Sequence, residues 1–169
     1  MIQVQLTSLD QLEVQIEEIE NRIAATLKPS PEVRLLRTIP GVGEILAPLI
    51  WLEIGEVERF PRAENLASYA GLVPRIIASG GRIRDGGTCR NVNHYLKWGF
   101  VEAATCAVRL KAYRDCHVGL LYHRLAPNKG HGRAIVAVAR HLAEASYWVL
   151  RKQQPYKSPA PRSTEIVSG

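Results

Sequence analysis

The sequence predicts an all-α protein that contains a helix-hairpin-helix motif and begins with a coiled-coil-like helix. Apolar residues recur at intervals of three and four near both ends of the chain, and two short apolar segments flank a Pro-Gly-Val-Gly turn. The 169 residues, 46% of them hydrophobic, are enough for one domain with a buried core. We expect a helix in residues 1–30, the helical domain in 31–152 and a disordered, proline-rich tail in 153–169.

The first helix presents a narrow apolar seam. Its residues are spaced three, four, three and four apart: Leu9, Leu12, Ile16, Ile19 and Ile23. Charged and polar residues fill most other positions, which is typical of a helix that pairs with one other helix. That helix belongs either to a second copy, giving a homo-oligomer, or to the body of the same chain. Pro29 and Pro31 end the element, because proline cannot continue a helix.

A tight turn at Pro40-Gly41-Val42-Gly43 separates the next two apolar helices. Gly41 and Gly43 permit backbone angles closed to other residues and allow another backbone to come close. The second helix would direct unpaired amides at the turn, where a phosphate fits. The alternative is an ordinary helical connection with glycine at its turn.

The remaining segments alternate helices with loops. We expect helices at 62–69, 93–110 and 113–125 and a loop at 127–132. The connection at 75–91 is glycine-rich and basic, and the runs on either side of Ser79-Gly80-Gly81 are consistent with a small hairpin. The last helix has the clearest apolar stripe, formed by Ile135, Val138, Leu142, Ala145 and Val149.

Basic residues are concentrated in one part of the chain. The net charge is +6, and residues 75–133 contain eleven lysines and arginines but only Asp85, Glu102 and Asp115 as acids. A phosphate backbone selects such a distribution, so nucleic acid is the expected partner. A merely solvated basic face is the alternative interpretation of the charge alone.

Other kinds of site lack their motifs. The five histidines show no metal-binding spacing, the three cysteines form no Cys-x-x-Cys pair, and no phosphate-binding loop of nucleotide-binding proteins occurs. Glu53, Glu56, Glu58 and Glu64 are interpreted as surface charges rather than ligands of two magnesium ions. No apolar run could cross a membrane and no secretory signal is visible, so we expect a cytoplasmic protein.

Five motifs occur together between residues 33 and 150. They are the Pro-Gly-Val-Gly turn, the segment ASYAGLVP, the Ser79-Gly80-Gly81 turn, the helix start at Asn93, Tyr95, Leu96 and Lys97, and the helix AIVAVAR. In combination they resemble the C-terminal domain of insertion-sequence transposases of the IS110 (IS116, IS902) family. The first helix is similar to the coiled coil that joins the two domains of such proteins.

The resemblance implies DNA recombination in which a serine of this domain attacks a DNA phosphate. Ser79 is that serine by matching position, although a serine before two glycines otherwise just makes a turn. The residues expected to contact nucleic acid are Gly41, Gly43, Arg75, Arg82, Arg84, Arg90 and Lys97. Metal ions, expected to be magnesium, belong to an acidic RuvC-like partner domain and not to this chain. Some relatives use a bridge RNA, which makes a guide RNA a candidate second partner.

Two departures from the family pattern are visible. The RuvC-like half is absent from this sequence, and Cys89, Arg90 and Val92 replace the usual threonine, lysine and glycine. Two functions therefore remain. The chain is either a recombinase subunit that contributes Ser79 to a site completed by a separate acidic domain, or a non-catalytic DNA-binding or dimerisation module left by a truncated transposase.

Overall fold

The computed structural model describes residues 2–26, 30–73, 76–79, 82–85 and 92–159. The helices are α1 (Ile2–Thr26), α2 (Pro31–Leu36), α3 (Leu46–Ile54), α4 (Ala63–Tyr69), α5 (His94–Arg109), α6 (His117–Lys129) and α7 (His131–Lys152). Strands β1 (Ile76–Ser79) and β2 (Arg82–Asp85) lie between α4 and α5, and 3₁₀ turns occur at Val57–Arg59 and Lys111–Tyr113. The predicted all-α class is confirmed, with one short strand pair among the described residues. The chain divides into two compact units, Met1–Pro31 and Glu32–Gly169.

The first unit contains α1 and its apolar seam. Leu9, Leu12, Ile16 and Ile19 lie on this helix, and each is more than half exposed. The surroundings of the Ile23 side chain lie outside the described part of the structure. The seam predicted from the spacing is therefore apolar surface that water contacts along at least three helical turns.

Helix α7 forms the centre of the core of the second unit. It packs against α4, α5 and α6. Its predicted stripe is buried at four positions, Ile135, Val138, Leu142 and Val149, whereas Ala145 is half-buried. Ser146, beside it, is fully buried, and its hydroxyl donates a 2.8 Å hydrogen bond to the Leu142 carbonyl. This bond removes the cost of an unpaired hydroxyl in the core.

The turn between α2 and α3 approaches α5 closely. Gly41 has a φ of +79°, and a Cβ at this position would overlap the carbonyl oxygen of Ala103 on α5. Gly43, in contrast, is exposed, and nothing lies within 4 Å of the place where its Cβ would be. Gly41 therefore makes the close backbone approach that glycine permits, and the backbone it approaches is that of α5 in the same chain. The helix-hairpin-helix assignment stays a prediction.

The connection between α6 and α7 differs from the predicted loop at 127–132, and that prediction is wrong. Helix α6 continues through Pro127 to Lys129, and α7 begins at His131, so only Gly130 separates the two helices. Pro127 lies in the last turn of α6, where its missing N–H removes a single intrahelical hydrogen bond. Gly130 adopts a φ of +80° and reverses the chain, so that α6 packs along α7.

The chain after α7 runs back over the helical body at residues 154–159. The backbone N–H of Tyr156 donates to the Thr38 hydroxyl at 2.8 Å, and its ring packs against the core. The Tyr156 hydroxyl lies 3.3 Å from Nε2 of His141 on α7. This part of the predicted tail at 153–169 therefore has fixed contacts, because a single aromatic residue finds a partly buried site. Residues 160–169 lie outside the described residues.

Gly41→Ala is expected to destabilise the protein strongly. The new methyl group would overlap α5 and would require a positive φ, which together cost about 3 kcal/mol of unfolding free energy. Gly43→Ala is the matched control and should change stability by no more than about 0.5 kcal/mol. Urea denaturation followed by circular dichroism measures both. Equal stability of the two variants would contradict the close approach at Gly41.

Candidate functional site

The strand pair carries the serine singled out in the sequence. β1 and β2 are antiparallel, with Ile76 opposite Asp85, Ile77 opposite Arg84, Ala78 opposite Ile83 and Ser79 opposite Arg82. Ser79 and Arg82 are thus the last paired positions, on either side of the two-residue connection. Residues 80 and 81 lie outside the described residues. The hairpin expected from the sequence is present, with Ser79 next to its tip.

The register groups the serine with two of the predicted basic residues. Cross-strand partners share a face of a strand pair, and so do residues two apart along a strand. By this backbone register, positions 77, 79, 82 and 84 share one face of the strand pair. Arg75 and Arg90, also predicted to contact nucleic acid, lie outside the described residues.

Asn93 joins the two helices that precede and follow the strand pair in the chain. The backbone N–H of Asn93 donates to the Tyr69 carbonyl at 2.9 Å, which joins the end of α4 to the start of α5. The side chain of Asn93 also caps α5, since its Oδ1 accepts from the Leu96 N–H at 2.9 Å. Its Nδ2 donates to Oε2 of Glu53 on α3 at 2.7 Å and lies 3.4 Å from the Tyr69 hydroxyl. One side chain therefore forms a junction of α3, α4 and α5.

A stacked arginine completes this junction. The Arg59 guanidinium lies 4.6 Å from the centre of the Phe60 ring and 4.8 Å from that of Tyr69. Its Nη2 donates to the backbone carbonyl of Glu53 at 3.2 Å. The hydrogen bonds of Asn93 and of Arg59 lower the pKa of the Tyr69 hydroxyl from its usual value of 10. The junction thus combines a cation, a carboxylate and a perturbed phenol.

Sequence reasoning missed most of this junction. The position of Asn93 before a helix is a standard cap signal, and the motif comparison had marked Asn93 itself. Nothing local links it to Glu53, forty residues earlier in the chain. Glu53 had been interpreted as a surface charge, whereas its carboxylate accepts a hydrogen bond from a partly buried amide.

Two of the predicted nucleic-acid positions lie at different points along α5. Lys97 lies on the first turn of α5, where its backbone N–H donates to the Asn93 carbonyl at 3.0 Å. Gly41 packs against Ala103, ten residues beyond Asn93, which is about 15 Å along a helix axis. The turn at Gly41 therefore contacts α5 about three helical turns beyond the junction.

Two further kinds of feature, metal-ligand clusters and membrane-spanning helices, bear on the function. No group of three or more His, Cys, Asp or Glu side chains that could hold a metal ion is found among the described residues. Over the same ranges, no helix is long and apolar enough to cross a membrane. The residues described here do not provide a set of ligands for magnesium.

Comparison with known proteins identifies the family. The model of the transposase IS116/IS110/IS902 family matches residues 33–117, which include α2 to α5 and the strand pair. The chain belongs to this transposase family. The resemblance stated from the sequence motifs is thereby confirmed.

Three relatives show how much of such a transposase is present. The chain is 31% identical over 163 residues to an insertion element IS110 uncharacterized 43.6 kDa protein of Streptomyces coelicolor, with 96% of this chain and 39% of that protein covered. It is 27% identical to the transposase for insertion sequence element IS1111A of Coxiella burnetii, covering 86% and 40%. It is 30% identical to a pilin gene-inverting protein of Moraxella bovis, covering 83% and 45%. The transposase-family chain spans well under half the length of these relatives.

Separating the two roles of Asn93 tests the junction. Asn93→Ser keeps a cap acceptor for α5 but removes the amide donor, whereas Asn93→Ala removes both. We expect both variants to speed hydrogen exchange in the segment 70–92, and the Ala variant alone to lose about 1 kcal/mol of helix capping.

Hydrogen exchange with mass spectrometry and urea denaturation make these measurements. Asn65→Ser, at an exposed position of α4, is the control and should leave exchange in 70–92 unchanged. Unchanged exchange in both Asn93 variants would show that the side chain does not hold the ends of the segment 70–92 together.

Proposed function

We propose that this chain is the DNA-binding part of a transposase or site-specific recombinase and supplies Ser79 as the nucleophile for strand exchange. The observation that supports this most directly is that the family match covers the strand pair on which Ser79 lies beside its tip. The acidic RuvC-like domain would be supplied by a separate chain or segment.

The position of the charges supports the proposed DNA binding. Arg82 and Arg84 lie on the strand pair, and Lys97 lies on the first turn of the helix that follows it. Six further lysines and arginines lie in the described part of the 75–133 stretch, on α5, α6 and α7 and between α5 and α6: Arg109, Lys111, Arg114, Arg124, Lys129 and Arg133. The charge therefore extends over several helices. Such a surface binds the phosphate backbone of DNA with little dependence on base sequence. A guide RNA has the same backbone charge and fits the same surface.

The serine chemistry needs a partner. In the proposed step the Ser79 hydroxyl oxygen forms a bond to phosphorus, the bond from phosphorus to a deoxyribose oxygen breaks, and the serine proton passes to that leaving oxygen. A serine hydroxyl is a weak nucleophile at neutral pH and requires activation. Carboxylate-bound metal ions of the RuvC-like domain would supply it, since the described residues form no such cluster. Arg82, paired with Ser79, would offset negative charge on the phosphate.

One observation favours the second candidate, a non-catalytic DNA-binding or dimerisation module. No group of three or more His, Cys, Asp or Glu side chains that could hold a metal ion is found among the described residues. Such a module would bind DNA with or without a RuvC-like partner and magnesium, and it would never form a covalent bond to the DNA.

Self-association is the second part of the proposal. The seam on α1 consists of apolar side chains that are more than half exposed at Leu9, Leu12, Ile16 and Ile19. A second copy of the helix would cover this surface by the knobs-into-holes packing of coiled coils.

Binding and chemistry are measured on the same variants. The affinity of the chain for a labelled duplex should fall steeply as salt rises, with a slope of about −0.9 in log K per phosphate contact. With a RuvC-like partner and magnesium, a covalent protein–DNA adduct should appear on denaturing gels. Ser79→Ala should abolish the adduct and leave duplex affinity nearly unchanged, while the exposed Ser68→Ala should affect neither.

The outcomes separate the two candidates. An adduct in Ser79→Ala, or a linkage mapped to another serine, would overturn the assignment of the nucleophile. Binding without any adduct in the native chain would favour the non-catalytic module. Salt-independent affinity would contradict phosphate-dominated binding.

Charged substitutions in the seam test self-association. Ile16→Glu combined with Ile19→Glu would place unpaired charge in a helix pair and should give monomers without unfolding the helical domain. Glu17→Lys with Glu20→Lys, at exposed polar positions of α1, is the control and should leave the oligomer intact. Light scattering measures the mass. A monomeric native chain at high concentration would contradict the proposed pairing.

A further inference from the structure

A groove of about 380 Å³ lies between the last turns of α7 and the extended segment 154–159. It is outside the family match at 33–117 and separate from the strand pair. Its chemically distinctive lining consists of three aromatic rings, two ammonium groups and one carboxylate: His141, Trp148, Tyr156, Lys152, Lys157 and Glu144.

Trp148 offers a stacking surface in this groove. Its side chain is 50% exposed, which is unusual for the largest apolar side chain unless a partner covers it. The buried Tyr147 ring contacts it edge to face, with 5.1 Å between the ring centres, so the indole packs against the domain through this ring. The ammonium of Lys152 lies 4.9 Å from the ring centre, on a face that a flat, electron-rich group could also cover.

The opposite wall is anchored to the body of the domain. Tyr156 is held by Thr38 through its backbone and faces His141 through its hydroxyl. The two walls are therefore both attached to packed elements, so the groove exists before a ligand arrives.

The charge of the groove is positive. Glu144 is paired with Nε of Arg140 at 2.8 Å, so its carboxylate is already compensated. Burial, together with the neighbouring His117, lowers the pKa of His141 to about 4, and this ring is neutral at pH 7. Lys152 and Lys157 form no ion pair with a carboxylate anywhere in the described residues. An anion that carries a flat ring matches this combination.

We propose that the groove binds one nucleotide unit, with its base stacked on Trp148 and its phosphate held by Lys152 and Lys157. The proposal rests on the nucleic-acid binding proposed above and adds a site that selects unpaired bases. A paired base inside a duplex cannot enter, because both of its faces are covered by neighbouring bases. An unpaired residue of a DNA strand and a free mononucleotide share this chemistry.

The test compares three probes on the full chain: a labelled oligothymidylate strand, thymidine monophosphate and a duplex of mixed sequence. Trp148→Ala should weaken binding of the strand about tenfold, the effect of losing one base–aromatic stack, and leave duplex affinity unchanged. Trp148→Phe should restore most of the affinity but lose the quenching of tryptophan fluorescence. Lys152→Gln should reduce the salt slope for the strand by about 0.7.

Trp98→Ala is the matched control, because Trp98 is 49% exposed but lies on α5, outside the groove. Saturable binding of thymidine monophosphate that Trp148→Ala abolishes, without an effect on the strand, would assign the site to free nucleotides. If Trp148→Ala changes neither strand affinity nor mononucleotide binding, and duplex binding is intact, the nucleotide site in the groove is overturned and the proposed function stands. Equal losses of strand affinity in Trp98→Ala and Trp148→Ala would also overturn the nucleotide site in the groove. Absence of strand, mononucleotide and duplex binding in the native chain would overturn both proposals.

Discussion

Burial of the apolar face of α7 positions the other helices of the second unit. Val138 and Leu142 are fully buried in the middle of α7, and α4, α5 and α6 all pack against it. Small residues such as Ala139 and Ala143 share the buried face and let neighbouring helices come close. Each fully buried aliphatic side chain contributes about 2 kcal/mol to this packing. Because α4 and α5 are among the packed helices, the junction at Asn93 takes its position from α7.

Periodicity predicted the parts of the fold that burial decides. The stripe on α7 and the inward face of α5, which includes Leu96 and Phe100, are buried as expected. The errors arose where a local signal competes with packing. Proline and glycine after residue 126 predicted a loop, yet α6 continues through Pro127 to Lys129 and the chain reverses at Gly130 alone. The proline-rich composition after residue 152 likewise predicted a disordered tail, whereas Tyr156 occupies a site formed by residues that are distant in sequence.

In the candidate site, too, the sequence predicts the features that depend on neighbouring residues and misses the contacts between distant ones. The motif around Ser79 and the cap at Asn93 are visible in the sequence, because both depend on short-range patterns. The register that pairs Ser79 with Arg82 follows from the two-residue connection between strands. The contact of Asn93 with Glu53 and the stacking of Arg59 on Tyr69 join segments that the sequence keeps apart. Such contacts require the packed arrangement of three helices and have no periodic signature.

The hydrogen bond from the Asn93 backbone to the Tyr69 carbonyl brings the two ends of the segment 70–92 together. Once the two ends of a segment are fixed, its length has little influence on the rest of a fold, since each doubling costs only about 0.6 kcal/mol of closure entropy. The segment between these ends can therefore gain or lose residues at small cost in stability, provided that Ala70 and Leu72 keep their buried places in the core.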